Sequence, residues 1–384
     1  MSPADPPATR ARQAALPEGL LRPALAGVDA YEPGRPVDEV RRETGVESIV
    51  KLASNEGPFP PMPGAIEAMR AGAAGLRLYP DPGAWALRDA IAATTGLDPA
   101  RILPGAGGDG LIKLLCLALL DPGDEVAMGW PSFLSWRVGA QIQGAETRLA
   151  PLRADGSYDL DALAALVGPR TKLVVVVSPN NPTGAAVGAG GLRAFLDALP
   201  GHVLPVLDEA YFEFLPPGGH DGAALVGEGR PFAAIRTFSK AYGLAGLRVG
   251  YLMGPPDLVR ALGVVRNVFD VSSPAHAAAI DSLADAPDHL PERISLNASE
   301  RAMTASGLRA LGLDPLPSTA NFLLVDLGTP ERATALNAAL LRCGVIVRPT
   351  RAFGAPTCLR VTIGLPEENA RFLAAAAASL AEVR

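Results

Sequence analysis

The sequence predicts an α/β sandwich on a largely parallel sheet, followed by a smaller α+β unit. The first sign is a series of short, uninterrupted apolar runs: Glu125–Met128, Leu173–Val177, Val203–Leu207, Ala233–Thr237 and Val249–Met253. Runs such as LVVVV, apolar on both faces, suit strands covered on both sides. The second is the helix-like patterning between most of them, at Gly110–Leu120, Asp159–Leu166 and Gly190–Leu199. Strand alternating with helix indicates parallel pairing. The third is a change of character from Ala275. There, long Ala-rich helices precede strand-like Phe322–Val325, Val345–Val347 and Leu359–Ile363, and a final helix closes the chain.

Upstream, the stretch to Pro17 is rich in Pro, Ala and Arg and reads as a flexible arm. An extended piece at Ser48–Leu52 follows, then helical patterning at Gly64–Ala74 and Ala84–Thr95. The expected organisation is an arm over 1–17 and a segment over 18–57 that joins the small domain. A large domain follows over 58–274 and a small α+β domain over 275–384. About a hundred residues is a common domain size. No internal repeat is visible.

With 384 residues, 48% of them apolar, the chain can build a sizeable core. Its 34 Lys and Arg against 40 Asp and Glu give a net charge of −6. That argues against a general nucleic-acid binder, which carries a basic excess. Cys116, Cys343 and Cys358 have neither metal-type nor redox-type spacing, so a reducing cytoplasm is the expected compartment. The four histidines are scattered, and no metal site is expected. MSPADPPATRARQ lacks the apolar core of a signal peptide. The apolar stretch Leu111–Leu120 is too short to span a bilayer and contains Lys113, so no membrane partner is expected.

Gly105–Gly110 (GAGGDG) fits G-x-G-x-x-G, with Asp124 and Glu125 about twenty residues on. In a dinucleotide site the acid stands at a strand's carboxyl end, where it can reach a ribose. Here both acids open the strand EVAM, at the wrong edge of the sheet. What survives is the glycine-rich entry to a helix near Gly110, whose free N–H groups and dipole favour a phosphate.

The lysines are Lys51, Lys113, Lys172 and Lys240. The first three fall on a strand, a helix and a strand entry. Lys240 lies in RTFSKAYGLAGLRVGY, between a strand end and the next strand. A loop lysine is ordinarily a solvated surface residue, but only an amine can form an imine. Asp208 ends an apolar run in VLPVLDEAYFEF, and Asn181 follows LVVVV in SPNNPTG. Each reads locally as a helix cap or a turn residue. Yet both stand at strand carboxyl ends, where α/β sheets bind ligands.

SPNNPTG, DEAYFEF and TFSKAYGLAGLRVGY, in this order and spacing, resemble the aminotransferases of pyridoxal-phosphate (PLP) fold type I, and most of all their histidinol-phosphate branch. YEPGRP, KLASNE, LYPDP, NFLLV, GVIVRP and LRVTIG extend the resemblance from about Leu20 to the C-terminus. It implies PLP held as an imine on Lys240. Asp208 would pair with the ring nitrogen, Asn181 and Tyr211 would meet the phenolic oxygen, and Phe133 would stack on the ring. Gly108, Asp109, Thr237, Ser239 and Arg248 would hold the phosphate, with Tyr79 reaching it from the other subunit of a homodimer. The catalytic residues it implies are Lys240, Asp208 and Tyr211. Tyr31, Asn55, Arg348 and Arg360 would face the substrate.

Two motifs depart from the family. Gly107–Gly110 lacks the polar residue and the acid that usually flank the aspartate, and SNEGP replaces S-N-E-N-P. The implied reaction moves an amino group between histidinol phosphate and 2-oxoglutarate or glutamate. In it Arg360 would take the α-carboxylate, and Arg348 the distal phosphate or carboxylate. An aromatic amino-acid aminotransferase stays open, because Tyr31, Phe133 and Phe353 suit an aromatic donor equally well. A more distant alternative is a PLP decarboxylase acting on a phosphorylated amino acid. Non-catalytic regulators on this fold carry a DNA-binding domain first, for which no room is expected before Leu20.

Overall fold

A computed structural model of the chain describes residues 16–17, 19–28 and 34–382. After helix α1 (Val37–Thr44) and the two-residue strand β1 (Val50–Lys51) come α2 (Pro63–Gly72) and α3 (Trp85–Thr95). The alternating region then runs β2 (Ile102–Gly105), α4 (Gly107–Leu119), β3 (Glu125–Trp130), α5 (Leu134–Gln143) and β4 (Glu146–Pro151). It continues through α6 (Leu160–Ala164), β5 (Thr171–Val177), α7 (Ala189–Ala198), β6 (Leu204–Asp208), α8 (Gly222–Gly227), β7 (Ala233–Thr237), β8 (Gly250–Met253) and α9 (Pro256–Val265).

The seven strands β2–β8 form one sheet, ordered β2-β8-β7-β6-β5-β3-β4. Every neighbouring pair is parallel except the two that β8 makes. The expected largely parallel sheet is present, and its central strands are buried along almost their whole length. The carboxyl ends of β2, β3, β5, β6 and β7 share one edge. Because β8 runs the other way, the residues just before it reach that same edge.

Two strands escape the apolar-run pattern. In β2 the sequence ILPG is short and holds a proline, tolerable because β2 is an edge strand. At the other edge, β4 (ETRLAP) exposes Glu146, Arg148 and Pro151, so no continuous apolar run marks it.

The remainder comprises α10 (Ser273–Ala310), β9 (Phe322–Asp326), α11 (Pro330–Arg342), β10 (Val345–Ile346), β11 (Arg348–Pro349), β12 (Cys358–Thr362) and α12 (Pro366–Glu382). Where the sequence suggests several Ala-rich helices, one helix of 38 residues runs straight through Pro287 and Pro291. Packing along α2 and α3 supports it across the missing backbone donors. Its first half belongs to the core of the large sheet, as far as Leu283. Its last turns join a second core with Leu52, Leu323, Val361 and Phe372. Strands β11, β12 and β9 form a three-stranded antiparallel sheet there, and β10 pairs with β1. Among the described residues no helix is long and apolar enough to cross a membrane.

One close approach ties the large sheet to the entry of α4. A Cβ on Gly250 would lie 2.7 Å from the Arg236 carbonyl oxygen and 3.3 Å from Gly107 Cα. Backbone on both sides leaves nothing flexible to yield, so overpacking should cost about 1–3 kcal/mol. Gly250→Ala should therefore lower the thermal midpoint by several degrees. Gly190→Ala, with nothing within 4 Å of its Cβ, should not, and equal midpoints for the two would refute the account.

Candidate active site

The shared sheet edge opens into a cavity of about 370 Å³. Every strand of the large sheet except β4 contributes to it. β2 leads into α4, whose first turn brings Gly108 and Asp109 to the wall; β3 leads to Phe133, β5 to Asn181, and β6 ends on Asp208 with Tyr211 just beyond. Thr237 ends β7, Ser239 and Lys240 follow it, and Arg248 precedes β8. From the small-sheet side come Ser54, Asn55, Arg348, Phe353 and Arg360. Of the residues named from the sequence, only Tyr79 and Tyr31 are missing from this wall. Tyr79 is 81% exposed and stacks on Phe269 with ring centroids 4.5 Å apart, outside the cavity. Tyr31 lies outside the described residues.

One end of the cavity is built for an anion. Helix α4 has no side-chain cap, so its first N–H groups are free to point at a ligand. The hydroxyls of Thr237 and Ser239 lie 2.9 Å apart beside it. Arg248, held in left-handed conformation at φ 53°, donates to the Ala245 carbonyl at 3.0 Å. Its guanidinium also lies so close to Gly107 that a Cβ there would come within 2.8 Å of it. Asp109 is engaged by Lys113 at 2.7 Å, leaving its backbone N–H rather than its carboxylate to face an anion. Glu125, the acid of the dinucleotide pattern, opens β3 at the far edge and pairs with Arg170 at 2.7 Å.

At the centre, Asp208 is 3% exposed and accepts from the Trp136 indole at 3.0 Å and from the Ala210 N–H at 3.3 Å. Its neighbour Glu209 is taken up by Arg236 at 2.9 Å, the Gly222 N–H at 2.9 Å and His220 at 3.0 Å. Lys240 Nζ donates to the Ser54 carbonyl at 3.3 Å and lies 5.8 Å from the Tyr211 ring centroid. Tyr211 accepts from Asn55 Nδ2 at 2.8 Å, and Asn55 is held in turn by Thr362 and Asn321.

Arg348 and Arg360 are direct cross-strand partners on β11 and β12. Their guanidinium carbons lie 5.5 and 5.4 Å from the centroid of one ring, Phe353. Arg360 also donates to Asn181 Oδ1 and, at 2.8 Å, to the Ala53 carbonyl. Reading motifs in the sequence did not single out Trp136, Ser54 or Thr362. SNEGP holds Ser54 and LRVTIG holds Thr362, but nothing local announces a contact made 72 or 186 residues away.

Burial, with the Arg360 charge close by, lowers the Lys240 amine to about 7. Only an unprotonated amine attacks an acyl donor, so Lys240 should acetylate half-maximally near pH 7. An ordinary lysine would wait until about 10.4. Peptide mass spectrometry across pH 5–11 measures this, and a profile centred near 10 would contradict it.

Burial raises the Asp208 carboxyl to about 6. A proton held more tightly in the folded chain stabilises it fully below the unfolded value near 3.9, and that stabilisation is lost as the pH rises through 6. The loss is about 3 kcal/mol, at 1.36 kcal/mol per pH unit. Asp208→Asn should thus raise the thermal midpoint of the ligand-free protein at pH 8 by several degrees and barely move it at pH 4. An equal shift at both pH values would overturn the reading.

The chain matches the family model for aminotransferase class I and II over residues 47–376. It is 43% identical over 358 residues to a histidinol-phosphate aminotransferase of Anaeromyxobacter sp. (strain Fw109-5), covering 93% of this chain and 98% of that protein. Among solved structures, it superposes with a TM-score of 0.86 on the histidinol-phosphate aminotransferase of Sinorhizobium meliloti in complex with pyridoxal-5'-phosphate. That pair shares 30% identity and covers 95% of this chain and 99% of the other. A mutant aspartate aminotransferase of Thermus thermophilus follows at TM-score 0.81 and 27% identity, covering 95% and 99%. Two substrates on nearly the same backbone show that the fold does not select between them. From family match, identity and fold together, the chain belongs to the class I and II aminotransferases.

Proposed function

We propose that the protein is a PLP-dependent histidinol-phosphate aminotransferase, with glutamate and 2-oxoglutarate as the other substrate pair. The observation that carries this reading is one cavity in which the buried acid Asp208 and the amine Lys240 face a cross-strand pair of arginines.

The residues present fit the cofactor. The first N–H groups of α4, the hydroxyls of Thr237 and Ser239 and the Arg248 guanidinium form a donor set suited to a phosphate. Asp208 would stand at the ring nitrogen, and Asn181 and Tyr211 at the phenolic oxygen, with Phe133 against the ring face. When bound, PLP supplies an electron sink for charge developing at the substrate's α-carbon. Asp208 would keep the proton on the ring nitrogen. Lys240 would take the proton from the substrate's α-carbon on Nζ and return it on the far side of the transferred nitrogen. Desolvation and the Arg360 charge hold its amine well below the ordinary lysine value, which favours the neutral form a base needs.

Arg360 receives the α-carboxylate of glutamate. Histidinol phosphate carries a hydroxymethyl group there instead, so Arg348 carries its recognition, gripping the distal phosphate. The organisation we propose sets a small domain of 18–57 and 275–384 beside a large one over 58–274, with the first half of α10 packed back onto the large sheet as far as Leu283. It further takes the protein to be a cytoplasmic homodimer in which Tyr79 reaches the partner's phosphate. The exposed Tyr79–Phe269 stack, flanked in sequence by exposed Leu78 and Val268, supports such a contact.

A charge-assisted pair in a partly desolvated cavity contributes about 1.5–3 kcal/mol. Arg348→Ala should therefore cut kcat/KM for histidinol phosphate at least about tenfold. It should weaken glutamate and leave phenylalanine nearly unchanged. Steady-state assays of the three donors test this, and borohydride reduction with peptide mapping should place the cofactor on Lys240. A wild type that prefers phenylalanine, with an Arg348→Ala variant unimpaired on histidinol phosphate, would favour an aromatic aminotransferase instead.

A further inference from the structure

We propose that Trp136 is a positioning residue for the reaction: its indole N–H holds Asp208 as an oriented carboxylate facing the cofactor's ring nitrogen. This rests on the aminotransferase reading above.

Trp136 Nε1 donates to Asp208 Oδ2 at 3.0 Å, and Trp136 is fully buried. A buried indole needs an acceptor, and a nearby carbonyl would serve for packing alone. Here the acceptor is the one fully buried acid of the cavity wall; the other acids there, Glu56 and Asp109, are already paired with Lys51 and Lys113. The donor type matters. An indole N–H can donate but cannot accept, so it cannot carry a proton away from Asp208. It favours the ionised carboxylate over the acid, opposing the burial that pushes the group up to about 6. Without it, Oδ2 would lose its only side-chain donor among the described residues, leaving Asp208 the 3.3 Å contact from Ala210 on Oδ1.

The location adds a second argument. Phe133 is the N-cap residue of α5, and Trp136 stands three residues on, within its first turn. One helical turn therefore brings both the ring that packs on the cofactor's face and the donor that aims its acid. Sliding or tilting α5 would disturb the two together.

The test uses the PLP-loaded enzyme and Trp136→Phe, which keeps an aromatic ring but removes the donor. We expect kcat to fall about tenfold or more while KM for the amino donor changes less than about twofold. The ligand-free variant should bind PLP several-fold more weakly. The pH midpoint of the bound cofactor's visible absorption should move upward, because a less positive ring lets the attached nitrogen keep its proton longer. A purely structural role would not move that midpoint.

A second measurement needs neither activity nor a foldable variant at 136. The chain has three tryptophans, Trp85, Trp130 and Trp136. In ¹⁵N-tryptophan-labelled, ligand-free protein, the Trp136 indole resonance should shift with pH near 6 and move upfield in Asp208→Ala. Failure of the two ideas is distinguishable. A wild type without transamination, or with PLP attached elsewhere than Lys240, overturns the aminotransferase reading. An active wild type and a crippled Asp208→Asn, together with an indole resonance indifferent to Asp208 or a Trp136→Phe variant with unchanged kcat and midpoint, overturn the proposal alone.

Discussion

A carboxylate kept from water at the end of β6 sets the terms for everything around it. Desolvation disfavours the charged form of Asp208, so the chain must supply either donors or a cationic partner. Among the described residues the donors are few: one indole and one long backbone N–H. The remaining demand for positive charge is what a protonated ring nitrogen can meet. In the ligand-free chain that burial disfavours the charged carboxyl, raising it to about 6. Lys240 belongs to the same logic with the sign reversed, a half-buried amine depressed towards neutrality by desolvation and the Arg360 charge.

The two sheets meet over this centre through the short stretch 52–55. The Leu52 N–H donates to Ile346, and the Leu52 carbonyl accepts from Thr362, so the stretch is stitched into the small unit. The next residues hold the cavity: Ala53 accepts from Arg360, Ser54 from Lys240, and Asn55 donates to Tyr211. Asn55 takes φ 53°, a conformation costly for most residues but accessible to asparagine. Bonds to Thr362, Tyr211 and Asn321 offset that cost. Arg360 and Lys240 thus share one strip of backbone.

Much of this was legible in the sequence wherever function and local pattern coincide. Asp208, Asn181 and Lys240 follow apolar runs, and the structure brings all three to one cavity. The central strands were found to within a residue or two. The misses have physical causes. A proline-bearing edge strand and a half-exposed one carry no continuous apolar signal, so β2 and β4 went unseen. Pro287 and Pro291 look like breaks, yet α10 continues because its packing outweighs the lost hydrogen bonds. Trp136 reads as one more core aromatic. Its importance depends on an acceptor 72 positions away, which no local window contains.

The pairing of Arg348 with Arg360 has a consequence of parity. In a strand, successive side chains face opposite sides, so a slip of one residue would carry either arginine to the far face of the small sheet. The connection over 350–357 is what fixes their alignment, anchored where Thr350 Oγ1 donates to the carbonyls of Ala355 and Cys358. Phe353 sits inside that same connection and underlies both guanidinium groups. Inserting or deleting a single residue in this turn would break the alignment of the two guanidinium groups on the cavity wall. The length of the loop, as much as its side chains, holds the pair in register.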